Sequence, residues 1–177
     1  MRACGALVRG VEGEALLGPV KHAVPDASQL TIRQARREDV AAIVDIFRGD
    51  EAGHGDAQGT RDLAPYLAAF DRIEASSDNL LYVALIAAEV VGTFQLTLIP
   101  GLVARGRTRM KIESVHVRHD LRGKGFGAEM MRFALGEARR LGAGLVELTS
   151  QKQRGEAHRF YERLGFVNSH EGFKLIF

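Results

Sequence analysis

Val115-His116-Val117-Arg118-His119-Asp120-Leu121-Arg122-Gly123-Lys124-Gly125-Phe126-Gly127-Ala128 is the stretch on which the reading of this chain turns. A β-rich run, Met110 to Val117, enters a basic, glycine-rich turn. Beyond the turn Met130, Met131, Phe133, Ala134, Ala138 and Leu141 recur at helical spacing. Glycines at 123, 125 and 127 remove the β-carbons that would hold a ligand away from the backbone. The first N–H groups of the helix, at the positive end of its dipole, then face outward. Arg122 and Lys124 add full positive charges. Strand, turn and helix together predict a cradle for a nucleotide-like pyrophosphate.

Two common phosphate loops do not fit. In a Walker loop the lysine is followed by Ser or Thr, whereas Lys124 is followed by Gly125. A dinucleotide fingerprint spaces its glycines Gly-x-Gly-x-x-Gly, whereas this turn runs Gly123-x-Gly125-x-Gly127. Arg122-x-x-Gly125-x-Gly127 after a strand instead resembles the acetyl-coenzyme A signature of the GNAT acetyltransferase family. Phe160-Tyr161-Glu162-Arg163-Leu164-Gly165-Phe166 resembles that family's closing motif, and Glu113 places a carboxylate in the strand that enters the turn. Carboxylate strand, glycine turn, helix, short strand and Tyr-bearing helix also follow one another in the family's order. The resemblance covers Leu30 to Phe177, with the specific motifs between Glu113 and Phe166.

The resemblance implies an α/β fold: a mixed, mostly antiparallel sheet flanked by about four helices, with a splay between the fourth and fifth strands. It implies transfer of acetyl from acetyl-CoA, as co-substrate, to a primary amine. Such a transfer must deprotonate the amine, hold the acetyl carbonyl, protonate the departing thiolate and align both substrates. By position and type, Glu113 matches the family's base and Tyr161 its general acid. The backbone amides of Val115 and Val117 match those that hold the carbonyl, and His116 lies between them on the same coenzyme-lining strand. Arg122, Gly123, Lys124, Gly125, Phe126, Gly127 and Ala128 match the coenzyme cradle. One position departs from the pattern: Arg154 stands where many members carry an asparagine that binds the pantetheine arm, so an arginine there is expected to reach a coenzyme phosphate instead.

The chain has 177 residues, 46% of them hydrophobic and 26% charged, an ordinary composition for one globular domain. Residues 30–177 are read as that domain; residues 1–29 lack a continuous signal-peptide core, since Gly, Glu and Pro interrupt every apolar stretch, and are read as a flexible extension or a piece that orders against a partner subunit. A net charge of +2 and sparse aromatics argue against a nucleic-acid binder. No apolar run approaches the roughly 20 residues of a membrane span. Cys4 is the only cysteine, so no internal disulfide is expected and a cytoplasmic home is. Cys4 is also far from the motifs, which favours direct transfer over an acetyl-enzyme. Six scattered histidines give no metal-ligand spacing, and no metal is expected. The acceptor stays open between small-molecule and protein amines, and the resemblance allows a homodimer. A reading from another class is a non-catalytic acyl-CoA sensor of the same fold, which would need neither Glu113 nor Tyr161.

Elsewhere the pattern predicts a strand at Thr31–Ala35 and a helix through Val40, Ile43, Val44 and Phe47. A glycine-rich loop at 50–60 follows, with His54 and Asp56 read as solvated. Then come a helix from Leu63 to Ala75 and a hairpin of Leu80–Ala87 with Val90–Ile99 around Ala88-Glu89. After the cradle helix, Leu145–Thr149 reads as a short strand and Arg154–Leu164 as a helix. Terminal strands are expected at Phe166–Asn168 and Phe173–Phe177. Along the carboxylate strand, simple alternation sets Glu113, Val115 and Val117 on one face.

Overall fold

The computed structural model describes residues 26–49 and 62–177. The expected loop at 50–60, with His54 and Asp56, and residues 1–25 lie outside the described residues. In chain order the elements are β1 (Thr31–Gln34), α1 (Val40–Arg48), α2 (Ala64–Glu74), β2 (Asn79–Ile86) and β3 (Glu89–Ile99). They continue with the single turn α3 (Val103–Gly106), β4 (Arg109–Val117), α4 (Phe126–Arg140), β5 (Leu145–Leu148) and α5 (Gly155–Arg163). The five strands form one sheet in sequential order, antiparallel from β1 to β4 and parallel between β4 and β5. This is the mixed α/β sheet that the resemblance implied, with four helices longer than a single turn among the described residues.

Each element follows from local chemistry. Ala87 and Ala88 both have positive φ, 47° and 70°, the conformation that a tight two-residue hairpin demands, so β2 turns directly into β3. Pro65 sits in the first turn of α2, where its missing N–H is not needed. Arg33 grips Asp39 through two hydrogen bonds of 2.7 and 2.9 Å, and the carboxylate also accepts from the Arg36 amide at 2.7 Å. That knot ties β1 to the start of α1.

The helices cover both faces. On one side Met130, Met131, Ala134 and Ala138 of α4 pack on Tyr82, Phe94, Leu96, Met110 and Ile112, with Phe160 and Tyr161 of α5 at the margin. On the other side α1 and α2 cover Leu81, Val83 and Leu85 of β2. Ala27 and Leu30 pack against the first cluster, so the segment before β1 contributes to the core. Between β3 and β4, Gly92 lies where an added β-carbon would stand 2.8 Å from Met130 Sδ and 3.0 Å from the His116 carbonyl oxygen. The sheet and α4 close at that point only because the side chain is absent.

The expected strands at Phe166–Asn168 and Phe173–Phe177 do not form. Val167, Phe173, Leu175, Ile176 and Phe177 are all largely exposed. Their alternation and bulk suit a strand, but strand propensity stabilises nothing without a neighbouring ladder to pair with. No described helix is long and apolar enough to cross a membrane.

Candidate functional site

The site is built around an irregularity in β4. Gln95 pairs with Glu113 and Thr93 with His116, so Phe94 alone faces both Ser114 and Val115. Ser114 takes a φ of 51°, and this two-against-one arrangement is a β-bulge. One inserted residue exchanges the faces of everything beyond it. Met110 and Ile112 point to the α4 side, and past the bulge Val115 and Val117 join them there. His116 instead turns to the α1 side, buried, with its ring edge-on to Phe47 at 4.9 Å. The simple alternation expected from the sequence is therefore corrected: Glu113 does not share a face with Val115 and Val117. Its row is Lys111, Glu113 and their cross-strand partners Thr97 and Gln95.

The bulge coincides with the splay. β4 and β5 pair only from Arg109 with Leu145 to Ile112 with Leu148. From Glu113 onward β4 has no strand on that side, and a wedge opens. The Arg118 amide donates to the Val91 carbonyl at 2.8 Å and so points to β3. Main-chain groups alternate along a strand, so those of Val117 and Val115 point into the wedge.

The glycine turn closes the far end of the wedge. Gly123 and Gly125 have φ of 74° and 89°, in the left-handed region that a β-carbon disfavours. Gly125 is the N-cap of α4, and no side chain caps the helix. The amides of Ala128 and Glu129 both turn back to the Gly125 carbonyl. Those of Phe126 and Gly127 have no partner among the described residues, which leaves an anion-ready helix start. The Phe126 side chain is buried in the core, so only its main chain can meet a ligand. The two cations hold the loop: Lys124 Nζ donates to the Asp120 carbonyl at 2.7 Å and Arg122 Nε to the Val117 carbonyl at 3.1 Å. Their charges stay beside the turn while their hydrogen bonds shape it.

Tyr161 lies on the α4 face, edge-on to Phe160 and Phe166 at 5.2 and 6.0 Å. Burial pushes its phenol upward, and the nearby positive charge of Arg154 opposes this only in part. A phenol held above its ordinary range keeps its proton at neutral pH. Arg154 is the N-cap residue of α5, and its guanidinium has no ion-pair partner among the described residues. Glu113 lies on the opposite face of the sheet, 38% exposed, paired with Lys111 Nζ at 2.7 Å. The wedge is thus the passage between the two faces.

Sequence reasoning missed the polar floor around Glu113. Asn79 Oδ1 accepts from Thr97 Oγ1 at 2.9 Å and Gln95 Nε2 at 3.4 Å. Ala69, Arg72, Ile73 and Asn79 line a cavity of about 290 Å³ at its edge, beneath α2. The signal was present as Gln95-x-Thr97 beside Lys111-x-Glu113, polar residues at strand period on two adjacent strands.

The comparisons agree with this geometry. The model of the acetyltransferase (GNAT) family matches residues 40–166. The solved structure of a transcriptional regulator from Bacillus halodurans is 36% identical, covering 84% of this chain and 99% of that one with a TM-score of 0.78. The glucosamine-6-phosphate N-acetyltransferase of Arabidopsis thaliana shares the fold at 19% identity, covering 84% of this chain and 98% of that one with a TM-score of 0.69. Among curated proteins, the aminoalkylphosphonate N-acetyltransferase of Salmonella typhimurium is 40% identical over 63 residues, 36% of this chain and 41% of that protein. The chain thus spans less than half the length of that curated relative. This chain belongs to the GNAT acetyltransferase family, whose members use acetyl-CoA. The residues present suit that co-substrate: an uncapped helix start for a diphosphate, and an open strand edge for an amide-bearing arm.

Proposed function

We propose that this chain transfers the acetyl group of acetyl-CoA directly to the primary amine of an acceptor held in the same complex. The observation that carries the reading is the wedge, which opens at the Ser114 bulge and runs to an uncapped helix start. The amides of Phe126 and Gly127 take the diphosphate, with Arg122 and Lys124 supplying charge around them. The main-chain groups of Val115 and Val117 line the path of the arm, and their N–H groups hold the thioester carbonyl as charge develops on it.

Glu113 removes a proton from the acceptor ammonium, and Lys111, at 2.7 Å, fixes where that carboxylate stands. The freed amine forms the new C–N bond as the C–S bond breaks, and the nitrogen sheds its remaining extra proton to solvent as the neutral amide forms. Tyr161, approaching from the other face, gives its proton to the departing sulfur. Its raised pKa keeps that proton in place until the sulfur becomes anionic. Cys4, the only cysteine, lies outside the described residues, and no thiol of this site offers an acetyl-enzyme route.

The acceptor is a small amine that also carries an acidic group. Arg72 lines the cavity beside Asn79 and has no ion-pair partner among the described residues, so it is available to an anion. Lys111 adds a second cation on the same face. The Salmonella relative's aminoalkylphosphonate acceptors are amines of this class. The test is release of free thiol from acetyl-CoA across a panel of aminoalkylphosphonates, amino acids and polyamines. Turnover should be fastest with the phosphonates. Preference for polyamines would refute the acceptor class, and no turnover with any amine would refute the activity.

A further inference from the structure

Among the described residues, one buried side-chain polar atom lacks a hydrogen-bond partner: the hydroxyl oxygen of Ser150. A sealed hydroxyl with nothing to bond is disfavoured, and native structures rarely keep one without a reason. Its place in the fold supplies the reason. Ile112 with Leu148 is the last β4–β5 pair. Carrying that register forward sets Thr149 opposite Glu113 and Ser150 opposite Ser114, the residue whose positive φ makes the bulge. Ser150 therefore stands where the two strands part, at the inner end of the wedge.

Ser150 is also anchored from behind. The Gln151 carbonyl accepts from the Arg154 amide at 3.0 Å and meets His158 Nε2 at 2.9 Å. These contacts tie the loop after β5 to the first turns of α5, so the backbone that carries the hydroxyl is fixed. A fixed, buried hydroxyl suits a neutral group that offers both a donor and an acceptor, because it can serve either. An amide has both. A phosphate would call for charge, and neither the hydroxyl nor the main chain that anchors it supplies any.

We infer that the Ser150 hydroxyl is a binding group for an amide of the coenzyme's pantetheine arm. The inference rests on the coenzyme lying in the wedge, and it gives this chain a contact that Arg154, in place of the family's asparagine, does not make in the same chemical form. The orphaned hydroxyl is then the mark of a partner that arrives with the ligand.

The test compares wild type with Ser150→Ala by calorimetric titration and by melting without ligand. Two probes are used: coenzyme A, and adenosine 3′-phosphate 5′-diphosphate, which keeps the diphosphate but lacks the arm. The variant should bind coenzyme A on the order of tenfold more weakly, the loss of one buried hydrogen bond. Its affinity for the arm-free nucleotide should be unchanged, and its ligand-free melting temperature equal to or above that of wild type. Equal affinity for coenzyme A in the two proteins would overturn the inference while leaving the wedge intact. So would a fall of several degrees in ligand-free melting, which would mark the hydroxyl as a structural group bonded to trapped water. If wild type itself fails to bind coenzyme A, the underlying reading falls too.

Discussion

Gly125 and Gly136 belong to one helix, and adding a single methyl group to each should move the protein in opposite directions. Gly125 caps α4 with φ 89° and ψ −14°. An added β-carbon there would meet only Ala27 Cβ at 3.7 Å, an ordinary contact, so crowding does not decide the outcome. Backbone conformation does: an L-residue in the left-handed region costs about 1–2 kcal/mol. In a chain of this size each kcal/mol lowers melting by roughly 2–4 °C, so Gly125→Ala should lose about 2–8 °C. Gly136 lies inside the helix, and a β-carbon added there would have nothing within 4 Å. At that position alanine removes chain entropy from the unfolded state and should stabilise by about 0.5–1 kcal/mol, a gain of roughly 1–4 °C. The functional consequence separates them further. If the turn relaxes to relieve strain, the amides of Phe126 and Gly127 lose their aim. Gly125→Ala should then bind coenzyme A on the order of tenfold more weakly, about 1.4 kcal/mol, while Gly136→Ala binds as wild type does. Calorimetric melting and titration read both quantities. A Gly125→Ala protein that melts with wild type and binds coenzyme A equally well would refute the cradle reasoning.

Other outcomes follow from the same geometry. Tyr161→Phe should lower kcat on the order of a hundredfold, with coenzyme affinity within about twofold of wild type by titration; loss of affinity with unchanged kcat would contradict the acid role. Gly92→Ala should destabilise by about 1–3 kcal/mol in chemical denaturation, since Met130 Sδ can swing away but the His116 carbonyl cannot. Burial alone would raise the Asp39 carboxyl, but the Arg33 hydrogen bonds and the Arg36 amide outweigh it and hold it below the ordinary range. A lowered carboxyl contributes stability above its unfolded pKa, and that contribution fades as pH falls below about 4. Asp39→Asn should therefore cost about 2 kcal/mol near neutral pH, and its melting difference from wild type should shrink on acidification; a constant difference would contradict this.

The parts of the fold written locally were legible in the sequence. Helical period placed α1, α2 and α5 within a residue or two, and the glycine turn announced the anion cradle before any strand was paired. What escaped depended on neighbours. Nothing in Ile112-Glu113-Ser114-Val115 announces that Ser114 will bulge, because the insertion exists only relative to Phe94 on β3. That one residue put Glu113 and Val115 on opposite faces. The C-terminal segment shows the converse: Phe173-Lys174-Leu175-Ile176-Phe177 has strand character, yet its apolar side chains stay exposed without a ladder. Arg122 and Lys124 were readable as charges but not as the donors that shape the loop's carbonyls. Ser150 carried no sequence signal at all, since an unpaired hydroxyl is visible only once its surroundings are packed.

The central claim is that main-chain hydrogens of the wedge and helix start receive the coenzyme. It is tested most directly by the amide ¹H–¹⁵N spectrum of the protein titrated with coenzyme A. The largest shifts should fall on Gly125, Phe126, Gly127 and Ala128, with a second group at Val115 to Val117. Saturable binding whose shifts leave both groups untouched would contradict the account.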